Sequence, residues 1–165
     1  MVLEVSGKFI YPIYKVGYTS LKKASGKIYY NEHISQCSSI NVLIRDPVER
    51  FVSGVNEYSQ QNDLPLNDTL EQIKNDNLVD RHFSPQLFWL FHLYKFYKKN
   101  ITLLPFSAIK DFTDIHLWSQ EEKGIKNMPV DVIDKFVNMD KHLLQHINET
   151  HNLGKLIERY QHVLS

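Results

Sequence analysis

The chain has 165 residues, 42% of them apolar and 12% aromatic, with nineteen basic and nineteen acidic side chains. That length suits one domain spanning 1–165 with a substantial core, and the composition excludes a disordered chain. A balanced charge excludes a surface built for nonspecific nucleic-acid binding, so any anion site must be a local arrangement.

In chain order, Lys8–Tyr14 is a β-rich apolar run and predicts the first strand. A polar turn follows, and Thr19 or Ser20 is placed to cap a short helix through Ala24, which Gly26 ends. Lys27–His33 predicts the second strand. Ile40–Ile44 predicts a third, apolar enough to be covered on both faces. Pro47 sits at the first turn of the next helix, where its missing N–H costs nothing, and that helix extends to about Gln61. A loop over Asn62–Asn67 leads to a short amphipathic helix over Thr69–Asn75. Ser84-Pro85 is another cap-then-proline start, and the helix to about Lys98 is apolar nearly all round, which predicts deep burial. Ile101–Pro105 predicts a fourth strand and Ala108–His116 a helix. Glu121–Pro129 is a charged loop, Val130–Asn148 a long amphipathic helix, and Leu153–Val163 a final one. Strands alternating with helices predict an α/β domain with a small central parallel sheet flanked by helices. In such sheets ligands bind at the carboxyl ends of the strands.

Two phrases stand at those ends. The first is Lys15-Val16-Gly17-Tyr18-Thr19-Ser20-Leu21. The second is Arg45-Asp46-Pro47-Val48-Glu49-Arg50-Phe51-Val52-Ser53. Each carries a strand through a polar turn into a helix start, where backbone N–H groups lack intrahelical partners and favour anions. Two such turns predict a ligand with two separate anionic groups.

Together they resemble the sulfotransferases that use 3′-phosphoadenosine 5′-phosphosulfate (PAPS), and among these the carbohydrate enzymes of heparan, chondroitin and dermatan type. The resemblance covers roughly residues 8–60, with weaker echoes at His82-Phe83-Ser84-Pro85-Gln86 and Lys123-Gly124-Ile125-Lys126-Asn127. Where the family often has proline before the loop lysine, this chain has Tyr14, with Pro12 nearby. The resemblance implies a compact P-loop-like three-layer fold and an enzyme that moves the sulfuryl group of PAPS to a hydroxyl, of carbohydrate type, without a metal.

Sulfuryl transfer is like phosphoryl transfer in resting on positioning and charge stabilisation. The resemblance implies a cradle made by the backbone N–H groups of Val16, Gly17, Tyr18, Thr19 and Ser20 with the Thr19 and Ser20 hydroxyls. Lys15 would neutralise the leaving oxygen. Arg45 and Ser53 would hold the 3′-phosphate. Each has a plainer alternative: a solvated lysine, an Arg45 ion pair with Asp46 or Glu49, a helix-surface serine. Asp46 and Arg50 read as partners that orient the turn. For the base, His33 and Glu32 compete at the end of the second strand, because neighbours in an extended segment face opposite ways. An imidazole suits general-base work at neutral pH and favours His33. His82 either lines the acceptor cleft or packs at a helix entry. Lys123 and Lys126 either close over the nucleotide or belong to a solvated loop. His142 and His146, with His151 nearby, have a spacing that can bind metal, but no third ligand is evident and a solvated helix face is the simpler account.

Two other functions compete. One is a sulfotransferase-like module that binds PAPS or its product without turnover. The other is a P-loop-like kinase, although Gly-x-x-x-x-Gly-Lys-Ser/Thr is absent and Lys15 precedes its glycine. A single cysteine, Cys37, excludes an intrachain disulfide and reads as an inert thiol. The longest apolar run, Leu87–Tyr97, is interrupted by His92 and Lys95 and falls short of the about 20 residues needed to span a bilayer. No leader is visible over Met1–Lys8, so the expectation is a cytoplasmic enzyme of bacterial or viral origin, or a trimmed chain.

Overall fold

A computed structural model describes residues 1–75, 78–114, 128–136, 142 and 154–165, without the side chains of 154–157. It contains a five-stranded sheet with helices packed on it. The strands are β1 (Val2–Val5), β2 (Lys8–Ile10), β3 (Lys27–Tyr29), β4 (Ser39–Ile44) and β5 (Asn100–Pro105), ordered β3-β1-β2-β4-β5. The helices are α1 (Tyr18–Ala24), α2 (Pro47–Gln61), α3 (Leu66–Asn75), α4 (Gln86–Phe96) and α5 (Gly154–Leu164).

The sheet is mixed, which corrects the expected parallel one. β2 pairs with β4 and β4 with β5 in parallel, while β1 pairs antiparallel with both β2 and β3. The inserted strand is β1, and it comes from a tight hairpin. Ser6 and Gly7 have φ of 49° and 74°. Two consecutive positive φ values match the twist of a two-residue hairpin turn, and Val5 and Lys8 close it as register partners. Strand β2 then ends at Ile10, although the Tyr11 N–H still reaches the Asn41 carbonyl at 2.9 Å. The chain at Tyr11 thus still borders β4 past the end of the regular ladder.

Strand β4 is central, as its run of apolar residues predicts. Ile40, Val42, Leu43 and Ile44 are buried, so both faces of the strand are covered, in one core with Leu3, Ile10, Leu21, Leu87, Leu90 and Ile101. A second core gathers Phe51, Val55, Leu70, Ile73 and Phe83 with Val132 and Phe136, and the Phe51 and Phe136 rings stack at 4.3 Å. Cys37 is buried, and burial pushes its thiol up.

Other expectations need correction. The second strand ends at Tyr29, and residues Asn31–Gln36 form a 3-10 helix instead of its extension. Helix α4 is not deeply buried. Leu87, Leu90 and Leu93 face the core at helical spacing, while Phe88 is 53% and Phe96 44% exposed. Helix α3 starts at Leu66, earlier than expected, and Phe106–Asp111 is a 3-10 helix where an α-helix was expected from Ala108. Residues 130–136 and 142 are helical; the remainder of the predicted Val130–Asn148 helix and most of the Glu121–Pro129 loop lie outside the described residues. Among the described residues no helix is long and apolar enough to cross a membrane.

Candidate functional site

Both phrases lie where β2 and β4 deliver them, and a side chain of the second meets the main chain of the first. The Arg45 guanidinium donates from Nη1 to the Lys15 carbonyl at 3.3 Å. Strands β2 and β4 are parallel neighbours with Ile10 level with Asn41, so the four to five residues after each level bring Lys15 and Arg45 to the same end of the sheet.

Arg45 is tightly built in. It is 8% exposed. Its Nε lies 3.3 Å from Glu49 Oε2, and its guanidinium carbon stands 5.3 Å from the centre of the Phe106 ring. The Glu49 pair is the one foreseen as its plainer role. The Arg45 N–H donates to Gln86 Oε1 at 3.0 Å, and Gln86 Nε2 donates to the Arg45 carbonyl at 2.6 Å. Asp46 caps α2 by accepting from the Glu49 N–H at 2.8 Å, with Pro47 at the first turn, so it orients the turn as expected. Arg50 is fully buried.

Lys15 is not a solvated lysine. Its ammonium is ion-paired with Glu57 of α2, and its side chain is 18% exposed. Its backbone is left-handed, with φ of 64°. For a residue with a Cβ that conformation is strained by about 1–2 kcal/mol, and such residues concentrate where function fixes the chain.

Glu49, Ser53 and Glu57 occupy successive turns of α2 at i, i+4 and i+8, which places them along one side of the helix. Glu49 holds Arg45, Glu57 holds Lys15, and Ser53 stands between them. Ser53 is not a surface serine. It is 2% exposed, and its Oγ has no hydrogen-bond partner among the described residues. A buried hydroxyl in that condition costs free energy until a partner arrives. A phosphate oxygen is such a partner, so the residues present fit the anionic group that the sequence implies.

In the loop, α1 begins at Tyr18 with Gly17 as its cap and no side-chain capping bond, so neither Thr19 nor Ser20 caps it. The Leu21 N–H bonds the Gly17 carbonyl at 2.9 Å, which leaves the N–H groups of Tyr18, Thr19 and Ser20 without intrahelical acceptors. The Val16 N–H is directed elsewhere, to the Ile13 carbonyl at 3.1 Å, and Val16 itself is core. Gly17 has φ of 72°, and a Cβ there would lie 2.1 Å from Ile109 Cδ1. Its smallness lets the loop pack closely against the 3-10 segment after β5.

An aromatic group adjoins the loop. Tyr14 stacks on Tyr18 at 4.5 Å, packs against Trp89 at 5.5 Å and His82 at 5.6 Å, and lies under the Arg81 guanidinium at 5.1 Å. Burial, and then the neighbouring Tyr18, raise the Tyr14 phenol above its ordinary value. His82 is buried with its Nδ1 paired to Asp80. Burial pushes the Asp80 carboxyl up, but hydrogen bonds from the His82 N–H and ring, with the charge of Arg81, outweigh it and hold Asp80 below its usual range.

His33 and Glu32 stand apart from this group. On the 3-10 helix both side chains are more than half exposed, 4.0 Å from each other. The further contact of His33 is Gln36 Nε2 at 3.3 Å. Lys123 and Lys126 lie outside the described residues, as do His146 and His151; His142 is exposed. Among the described residues no three His, Cys, Asp or Glu side chains gather as metal ligands.

Sequence reasoning missed Glu57, Asp80 and Gln86. Glu57 lies two helical turns beyond Glu49, and Gln86 ends the His-Phe-Ser-Pro-Gln phrase, so both had a signal in spacing. Comparison with protein-family models, curated proteins and solved structures found no match to this chain.

Proposed function

We propose that the chain is a PAPS-dependent sulfotransferase acting on a hydroxyl acceptor of carbohydrate type. The observation that carries this reading is the junction of the two phrases, with the Arg45 guanidinium on the Lys15 carbonyl at 3.3 Å. It puts one cation of each phrase at one end of the sheet, as a ligand with two anionic ends requires. The unpartnered Ser53 hydroxyl beside them supports the same reading.

In this reading Arg45 and Ser53 hold the 3′-phosphate, the first through forked, charge-assisted donors. The N–H groups of Tyr18, Thr19 and Ser20 face the phosphosulfate, and Lys15 neutralises charge on the leaving phosphate oxygen. Glu57 and Glu49 hold the two cations in the meantime, so the ligand's oxygens compete with carboxylates.

The test is calorimetric titration with 3′,5′-adenosine diphosphate (PAP), the co-product, against 5′-ADP. Tight binding of the first and weak binding of the second is the expected result. Equal or absent binding removes the sulfotransferase reading, and magnesium-dependent preference for 5′-ADP points to a kinase instead.

A further inference from the structure

We propose that His82, oriented by Asp80, takes the proton of the acceptor hydroxyl; this rests on the sulfotransferase reading.

Three observations lead there. The first is position. His82 lies between Tyr14 at 5.6 Å and Tyr58 at 6.5 Å, ring centre to ring centre. Tyr14 is bonded to Lys15 and Tyr58 to Glu57, and those two residues form the ion pair at the site. The imidazole therefore packs between two rings whose chain neighbours are the Lys15–Glu57 ion pair.

The second is orientation. One oxygen of Asp80, Oδ1, accepts from the His82 N–H at 2.9 Å and also meets the ring Nδ1. A carboxylate at Nδ1 selects the tautomer with the proton on Nδ1 and leaves the lone pair on Nε2, the atom a general base uses. Nε2 has no hydrogen-bond partner among the described residues. Asp80 is held below the ordinary carboxylate range, so it stays ionised in that role at neutral pH.

The third is rigidity. Helix α2 packs so closely on this turn that a Cβ on Gly54 would lie 2.1 Å from the His82 carbonyl oxygen. Main chain and ring are thereby both fixed, which is what a positioned base needs. His33, exposed on its 3-10 helix, has none of the three.

The step balances. The acceptor oxygen forms a bond to sulfur while its proton passes to His82 Nε2. The bond from sulfur to the bridging phosphate oxygen breaks, and its electron pair stays on the phosphate beside Lys15, giving PAP. The imidazolium then releases its proton to water.

The experiment uses the full chain, with PAP affinity measured first. Transfer from radiolabelled PAPS is then followed onto desulfated heparan, chondroitin and dermatan polysaccharides. His82→Ala and His82→Asn are expected to bind PAP within about threefold of the parent and to lose transfer by about 100-fold or more. Added imidazole is expected to restore part of the activity of His82→Ala, which a packing role would not allow. Should both His82 variants fail to fold, Asp80→Asn decides the matter. It should lower transfer about tenfold and shift the His82 ring away from the Nδ1–H tautomer in long-range proton–nitrogen NMR spectra. Parent-like transfer in His82→Asn, abolition by His33→Ala alone, or an unchanged tautomer in Asp80→Asn would each overturn the proposal. So would a parent chain that binds PAP and transfers to none of the polysaccharides. A parent chain that fails to bind PAP overturns the sulfotransferase reading itself, and the affinity measurement tells the two failures apart.

Discussion

Gln86 grips the peptide of Arg45 from both sides, accepting from its N–H at 3.0 Å and donating to its carbonyl at 2.6 Å. The first residue of α4 thereby fixes the residue that leaves β4, across 41 positions of sequence. Both peptide groups are in the interior, where an unmade hydrogen bond costs about 1–3 kcal/mol.

Gln86→Ala is accordingly expected to destabilise the fold by about 3 kcal/mol, read as a lower urea midpoint at constant slope. Gln86→Glu keeps the acceptor and loses the donor, and should fall between. In the proposed enzyme both variants should also weaken PAP binding, because the Arg45 fork loses its fixed base.

The two tight glycines should differ in a way their positions dictate. At Gly17 an added Cβ meets the tip of the Ile109 side chain, which can turn aside; at Gly54 it meets the backbone carbonyl of His82, which cannot. Gly54→Ala should therefore be the more damaging of the two despite the positive φ at Gly17. Ile109→Ala should recover part of the loss in Gly17→Ala and none in Gly54→Ala. Thermal melts of the two double variants against their singles check this.

Lys15 allows strain and charge to be separated. Glycine adopts φ of 64° freely, and alanine does not. Lys15→Gly should be more stable than Lys15→Ala by about 1 kcal/mol, although both lose the cation and, in the proposed function, both lose PAP affinity by tenfold or more. Glu57→Gln should move affinity the other way, since it removes the carboxylate that competes for Lys15.

Asp80 sets a pH signature. Its folded-state value lies below the ordinary 3.8, so its contribution to stability is complete above that value and lost as pH falls through the depressed one. Asp80→Asn should flatten the acid limb of the stability curve below about pH 4. Denaturant melts across that range measure it.

The contrast between what the chain announces and what it conceals follows contact range. The β4–α2 turn was legible, because Asp46 and Pro47 act within one helical turn and Ile40–Ile44 is apolar throughout. The burial of Ser53 was not, since it depends on what packs against α2. Strand β1 escaped notice because Val2–Val5 is short and its hairpin uses Ser6-Gly7 in place of the stronger Asn-Gly signal. Tyr29-Tyr30 has strand propensity and led the second strand too far; Asn31 begins the 3-10 helix instead, with β3 already at the sheet edge. The partners at the site, Glu57 for Lys15 and Gln86 for Arg45, are 42 and 41 residues away, so their spacing could mark them as candidates but not say which cation each would meet.

Helix α2 also acts as a measuring rod. Glu49 and Glu57 are eight residues apart, about 12 Å along the axis, and through them the helix sets the separation of the Arg45 and Lys15 side chains. In the proposed function, a ligand with two anionic ends would thus be gauged by a rigid rise and not by flexible loops. One residue inserted at the middle of α2 would swing Glu57 by about 100° and carry it off Lys15 while leaving Glu49 on Arg45. The separation of the two carboxylates that hold the cations is therefore written in the length of a helix, and a change of a single residue there would free one cation without substituting either.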